Sequence, residues 1–221
     1  PIHGATNVVD GAAYTTNQQN ATATTLYTLS AATDTLYLQD PNSGTQSSEL
    51  AITLNGSPLN FSGVNGFDIL PGVNVATNNA PATGTALAVL TIGTGIDTHS
   101  DLYAIDLSTG AATFVKIGGP NIHVHSMAAH GEVVEGGVPS IALGPSNTLV
   151  RFNTGTPGNA TSQSVTGLVA GEKLVGIAWR PKTGQLMGLG IDAISPSAAT
   201  LYQLDPQNGT ATIVGASSPA G

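Results

Sequence analysis

The chain has little charge and no cysteine. Only 8% of its 221 residues are charged, five of them are Lys or Arg, and the net charge is −8. Proteins bind nucleic acid and anionic membranes through basic patches, which five scattered cations cannot build, so we expect neither as a partner. The absence of cysteine excludes disulfides, thiol catalysis and cysteine-ligated metals.

Long apolar runs are missing too. No run of 18 apolar residues is present, so we expect no membrane insertion. Thr, Ser, Asn, Gln and Gly must cover the surface, which we interpret as an extracellular or cell-surface composition that tolerates close packing in an assembly. The chain starts at Pro1 without an apolar leader, and we interpret it as a processed chain or a piece excised from a longer one.

The sequence repeats one hairpin. Residues 102–118 read LYAIDLSTGAATFVKIG and residues 201–215 read LYQLDPQNGTATIVG. Apolar and polar residues alternate around turns rich in Asp, Pro, Asn and Gly, which predicts paired strands. The shared kernel is Leu-Tyr or Leu-Val, a turn and a Thr-rich return strand, and we place it at Leu26, Leu102, Leu149 and Leu201. We interpret Tyr27, Tyr103 and Tyr202 as equivalent core positions of the repeat.

Two consecutive hairpins make a four-stranded antiparallel unit of about 42 residues, a period typical of propeller blades. We therefore predict an all-β, β-propeller-like fold of four to five blades, each with four antiparallel strands. The chain would be a single domain, 1–221, with repeat units at about 8–50, 64–118, 119–168 and 174–216. A β-sandwich or a β-solenoid remains the alternative.

The motifs resemble a family of uncharacterised, mostly bacterial, secreted domains. Residues 102–113 match its LYxIDxxTGAAT pattern, and residues 174–187, LVGIAWRPKTGQLM, resemble its LVGIDFRPxTGQLY pattern. Residues 12–45 and 147–159 are also similar to it. The resemblance implies a propeller-like fold and supplies no catalytic residues. The blades follow one another in a shifted order here, with the AAYT blade first.

Two polar stretches are candidate metal sites. In the segment NIHVHSMAAHGEVVEGG, the histidines His123, His125 and His130 precede Glu132 and Glu135. Imidazole and carboxylate groups suit a divalent metal such as zinc or copper. In GIDTHSD, Asp97, His99 and Asp101 alternate, and Asp97 and Asp101 would suit calcium. The alternatives are a polar linker between blades for the first stretch and a polar loop tip for the second.

No catalytic motif is recognisable, and the GxSxG elbow is absent. The leading hypothesis is a non-catalytic extracellular structural or adhesive repeat protein that self-associates into filaments or a surface matrix, or binds other extracellular components. A second hypothesis is a metal- or small-ligand-binding propeller, such as a hydrolase or lyase, that uses His123, His125 and His130. A third is a carbohydrate-binding module.

Overall fold

A computed structural model describes residues 2–18, 20–119, 121–130, 136–180, 183–192, 194 and 199–216. Its four antiparallel sheets are the blades of a β-propeller, which confirms the predicted fold class and gives four as the number of blades. Two short 3-10 helices, Gly95–Asp97 and Pro157–Asn159, interrupt the described strands. No helix in this described part of the chain is long and apolar enough to cross a bilayer.

Each blade contains four consecutive antiparallel strands. Blade 1 contains β1 (Gly11–Tyr14), β2 (Leu26–Ser30), β3 (Thr35–Gln39) and β4 (Gln46–Ala51). A hairpin of β5 (Thr53–Leu54) and β6 (Ser57–Pro58) precedes blade 2, which contains β7 (Gly63–Ile69), β8 (Thr85–Ile92), β9 (His99–Asp106) and β10 (Ala111–Phe114). Blade 3 contains β11 (Ser126–Ala129), β12 (Pro139–Gly144), β13 (Thr148–Asn153) and β14 (Thr161–Ser164). Blade 4 contains β15 (Glu172–Arg180), β16 (Gln185–Asp192), β17 (Ala199–Leu204) and β18 (Ala211–Ala216).

The first strands of neighbouring blades contact one another, β1 with β7, β7 with β11 and β11 with β15, and so line the propeller axis. The outer strands receive the connecting segments. The hairpin that leaves blade 1 adds to the outer edge of blade 2, where β5 pairs in parallel with β10. Thr166, which leaves blade 3, pairs in parallel with Thr210 at the outer edge of blade 4. Backbone hydrogen bonds therefore tie successive blades together at their rims.

The turn after each third strand explains why the hairpin sequence repeats. In each blade a carboxylate or amide Oδ1 at the end of this strand accepts the backbone N–H two residues later, at 2.7–2.8 Å. This Asx turn reverses the chain locally and is a reason for Asp or Asn at the position. The hydrogen bonds stabilise the charged carboxylate, and the pKa values of Asp40 and Asp106 are lowered. The four turn residues are Asp40, Asp106, Asn153 and Asp205.

The structure corrects one equivalence expected from the sequence. Tyr27 lies in the second strand of blade 1, whereas Tyr103 and Tyr202 lie in the third strands of their blades, so the placement of the kernel at Leu26 is wrong. The equivalent residue is Tyr37, in β3. Each of these third-strand tyrosines stands three residues before the turn aspartate of its blade, and each is buried. The LYTL of β2 resembles the kernel but lacks the turn aspartate at that spacing.

Three apolar cores join successive blades. Each blade has a forward face, which we define as the sheet face towards the following blade in the chain, and a backward face towards the preceding one. The strand TALAVLTI of β8 has both faces buried. On its forward face, Leu87 and Val89 belong to the core shared with blade 3. On its backward face, Ala86, Ala88 and Leu90 belong to the core shared with blade 1. Because both faces of β8 are buried, its sequence is almost continuously apolar. The third core lies between blades 3 and 4 and includes Leu149 and Leu174.

Candidate functional site

An aspartate, two histidines and an asparagine form a hydrogen-bonded cluster where blade 2 meets the segment entering blade 3. His99 and Asp101 are two residues apart in β9 and share a face. The buried Asp101 carboxylate accepts at Oδ1 from Asn121 Nδ2 at 2.8 Å and lies 3.0 Å from His123 Nδ1. Its Oδ2 lies 3.2 Å from His99 Nε2. One carboxylate therefore holds groups from two distant parts of the chain.

Both ring nitrogens of His99 face acceptors. Nδ1 is 2.7 Å from the backbone oxygen of Asp97, and Nε2 faces the Asp101 carboxylate. A neutral imidazole carries only one ring proton, so the ring can donate towards both acceptors at once only when it is doubly protonated. The same carboxylate acts on a neighbouring phenol: burial, and secondly the negative charge of Asp101, raise the pKa of Tyr103.

The predicted metal-site residues are distributed over three places. His123 joins Asp101, so the two candidate stretches meet, while Asp97 contributes its backbone oxygen rather than its carboxylate. His130 packs edge-on against Trp179 of blade 4, with ring centroids 4.6 Å apart. His125 lies near the propeller axis.

No three His, Cys, Asp or Glu side chains are grouped to hold a metal ion among the described residues, which exclude Glu132 and Glu135. The contacts made by the three histidines therefore give the metal hypothesis no support, and metal binding by this chain stays a prediction.

A pocket of about 410 Å³ opens at the end of the axis where the first strands begin. Three blades contribute to its wall: blade 2 through Asn65, blade 3 through His125 and Asn147, and blade 4 through Lys173. Asn65 Nδ2 is held by the hydroxyls of Thr91 and Ser100, at 2.9 and 2.7 Å.

Asn147 clamps the pocket to blade 4. Its Oδ1 accepts the N–H of Leu174 at 2.8 Å, and its Nδ2 donates to the backbone oxygen of Glu172 at 3.5 Å. Each lining amide is therefore fixed by a second group, and the pocket wall is ordered by these hydrogen bonds.

A partly buried carboxylate lies between the first strands of blades 2 and 3. Asp68 is in β7, and its Oδ2 accepts the backbone N–H of Ala129 at 3.0 Å. Backbone hydrogen bonds from Ala129 and Ile69 offset only part of the cost of burying the charge, and burial raises the pKa of Asp68 to about 6. The ionisation of Asp68 is therefore sensitive to mildly acidic pH.

The forward face of blade 4 differs from the other three forward faces. In each blade one apolar pair joins the second and third strands on this face: Leu29–Leu36, Val89–Leu102, Leu143–Leu149 and Leu189–Leu201. The first three pairs are at most 1% exposed, whereas Leu189 is 42% and Leu201 39% exposed. No core cluster of described residues joins blade 4 to blade 1. The forward face of blade 4 is therefore uncovered as far as the described residues go, and we refer to it as an open interface.

Sequence reasoning identified Asp101, His123 and His125 but missed the groups that act with them. No local sequence pattern indicated Asn121 or Lys173 as site residues. The group that Asn121 contacts is distant in sequence, and the side chains near Lys173 belong to other blades. His99 was visible as part of an alternating polar stretch on one strand face. The open face of blade 4 was also missed, since its leucines occupy the same repeat positions as buried ones.

Comparisons with solved structures give the fold alone. The crystal structure of BBS1N in complex with ARL6DN, soaked with lead, is 10% identical, with a TM-score of 0.51 over 94% of this chain and 54% of that one. Kuenenia stuttgartiensis hydrazine synthase is 12% identical, with a TM-score of 0.49 over 93% of this chain and 53% of that one. The Dos1 propeller is 10% identical, with a TM-score of 0.43 over 93% and 45%. The chain thus spans about half the length of these structures.

No curated protein matches the chain. One family model does, a domain of unknown function (DUF4394), over residues 1–128 and 148–221. This match confirms the resemblance to an uncharacterised propeller family inferred from the repeat motifs. Because the matched residues make up most of the chain, the protein belongs to the DUF4394 family.

Proposed function

We propose that the protein is a non-catalytic structural or adhesive repeat protein that associates with a second copy of itself through the forward face of blade 4. The open leucine pair, Leu189–Leu201, carries this proposal. Three equivalent pairs are each buried by a following blade. The forward face of blade 4 has apolar residues at the positions that a following blade buries elsewhere in the fold. Exposed apolar patches of this kind are typical of association sites.

The surface that covers Leu189 and Leu201 must itself be apolar and accessible, and this requirement selects the partner surface. The backward face of blade 1 would continue the order of blades, but Thr28, Ser30, Tyr37 and Gln39 on that face are already at most 5% exposed, so it offers no free apolar surface. The forward face of blade 4 in a second copy offers Leu189 and Leu201 instead. Pairing two identical faces around a two-fold axis buries four leucines and closes the assembly as a dimer.

The low charge of the chain favours association. With 8% charged residues, the repulsion that keeps surfaces apart is weak. The composition, rich in Thr, Asn and Gly and poor in Lys, is our basis for proposing that the protein acts outside the cell or at its surface.

Analytical ultracentrifugation of the native protein and of Leu189→Ser/Leu201→Ser tests the proposal. Burying the exposed two fifths of a leucine contributes roughly 1 kcal/mol. Removing two leucines from each protomer of a symmetric dimer therefore weakens association by about a thousandfold. We expect a native dimer and a monomeric variant.

Ile96→Ser is the matched control. Ile96 is fully exposed, on the 3-10 helix before β9, and lies outside the proposed interface. We expect this variant to dimerise like the native protein. A native protein that stays monomeric refutes the proposal. Particles that grow beyond a dimer, and that also require the leucine pair, would replace the symmetric dimer with a head-to-tail array.

A further inference from the structure

The pocket at the propeller axis, lined by Asn65, His125, Asn147 and Lys173, combines features of a ligand site. It collects side chains from three blades, so only the folded propeller assembles it. Its volume of about 410 Å³ lies in the range of small-molecule sites. The lining amides are already held by hydrogen bonds, whereas the two basic groups have no partner among the described residues.

Lys173 and His125 are these two basic groups. No hydrogen bond or ion pair from the described residues reaches the Lys173 ammonium or the His125 ring. Lys173 is one of only five Lys and Arg residues in a chain of net charge −8, yet no described carboxylate neutralises it. The ammonium offers three donors and the ring at least one.

No described carboxylate lines the pocket. The adjacent acidic residue in the chain, Glu172, accepts hydrogen bonds at 2.6 Å from Thr200 and Tyr202, so its two carboxylate oxygens are occupied within blade 4. Lys173 is therefore the one formally charged side chain among the described residues that line the pocket, in a molecule whose net charge is −8. A cleft lined by charge of one sign concentrates ligands of the opposite sign.

We propose that this axial pocket binds a small dianionic oxyanion, with one anionic end at Lys173 and the other at His125. The two donors stand on different blades, so a ligand with two acceptor groups bridges blades 3 and 4. The shared chemistry of the ligand class is that of a dicarboxylate or a phosphate. The proposal uses other side chains than Leu189 and Leu201 and stands independently of self-association.

Nuclear magnetic resonance titration of the whole chain, read at the His125 ring, tests the proposal. The probes are succinate, inorganic phosphate and the neutral analogue succinamide, up to tens of millimolar, because an exposed pair of this kind binds on the order of millimolar. We expect a saturable shift of the His125 signal with succinate or phosphate. The tighter of the two assigns the ligand as a carboxylate or a phosphate.

Lys173→Gln removes the charge and keeps hydrogen-bonding capacity, and Lys116→Gln is its matched control on a lysine beyond blade 2, outside the pocket. We expect Lys173→Gln to weaken binding by about two- to fivefold, the range of an exposed ion pair. Lys116→Gln should leave it unchanged. The proposal is overturned if neither anion gives a saturable shift, if succinamide binds as well as succinate, or if both lysine variants lose affinity equally.

Discussion

Replacing the partly buried Asp68 by asparagine should change how the stability of the protein depends on pH. The carboxyl group has a pKa of about 6 in the folded protein, against an ordinary pKa of 3.8. The folded state disfavours the charged form of Asp68. The contribution of its protonated carboxyl group to the free energy of unfolding is therefore fully present at low pH. This contribution is lost as the pH rises through about 4 to 6. The difference of about two pKa units corresponds to about 3 kcal/mol at pH 7.

The asparagine side chain of the variant would mimic the protonated acid. Its oxygen still accepts the N–H of Ala129, but it carries no charge at any pH. We therefore expect Asp68→Asn to have the same free energy of unfolding as the native protein near pH 4. Near pH 7 the variant should be more stable by up to about 3 kcal/mol.

Urea unfolding at several pH values between about 4 and 7 measures this difference. The other carboxylates titrate in both proteins, so their effects cancel when the two curves are subtracted. Asp10→Asn is the control, because Asp10 is exposed and its Oδ2 also accepts a backbone N–H, from Ala31 at 2.8 Å. Parallel curves for native protein and Asp68→Asn would refute the reasoning, as would an equal change in Asp10→Asn.

Two further substitutions test contacts within and between blades. Tyr202→Phe removes a hydroxyl that donates to Glu172 at 2.6 Å. We expect urea unfolding to show that the free energy of unfolding falls by about 1–3 kcal/mol. An unchanged stability contradicts this, as does an equal loss in the control Tyr14→Phe, which changes an exposed tyrosine. Gly66→Ala places a Cβ 2.9 Å from the backbone nitrogen of Met127 in blade 3. We expect faster hydrogen exchange in β11 than in the native protein, and unchanged exchange there argues against the contact.

The fold was predictable because its signals are local. The carboxylates of the turn aspartates accept backbone N–H groups two residues later in the chain. Asp106 and Asp205 therefore occur at the same position in each copy of the hairpin sequence. Alternation of apolar residues then identifies the strands. The assignment of Tyr27 was wrong because LYTL resembles the kernel but lies in the second strand of its blade, β2. Tyr37 is the equivalent of Tyr103 and Tyr202, and its spacing of three residues to Asp40 is the feature that distinguishes it.

The candidate site was predictable only in part, because its contacts are long-range. The sequence places His99 and Asp101 on one strand face, but nothing local indicates that Asn121 and His123 approach the same carboxylate from 20 and 22 residues away. The same holds at the axis, where His125 and Lys173 come from different blades. Proximity of this kind depends on how the blades pack, which a repeat pattern does not specify.

The open face of blade 4 shows the limit of repeat reasoning most clearly. Leu149 and Leu201 hold the same position in the third strand of their blades, yet one is buried and the other 39% exposed. The difference arises from the neighbouring blade, since blade 4 covers Leu149 and no described residue forms an equivalent core on Leu201. A repeat encodes an interface at every copy, and the last described copy keeps it without a cover within the described chain. The association that we propose at that face would use this repeated interface and would need no additional motif.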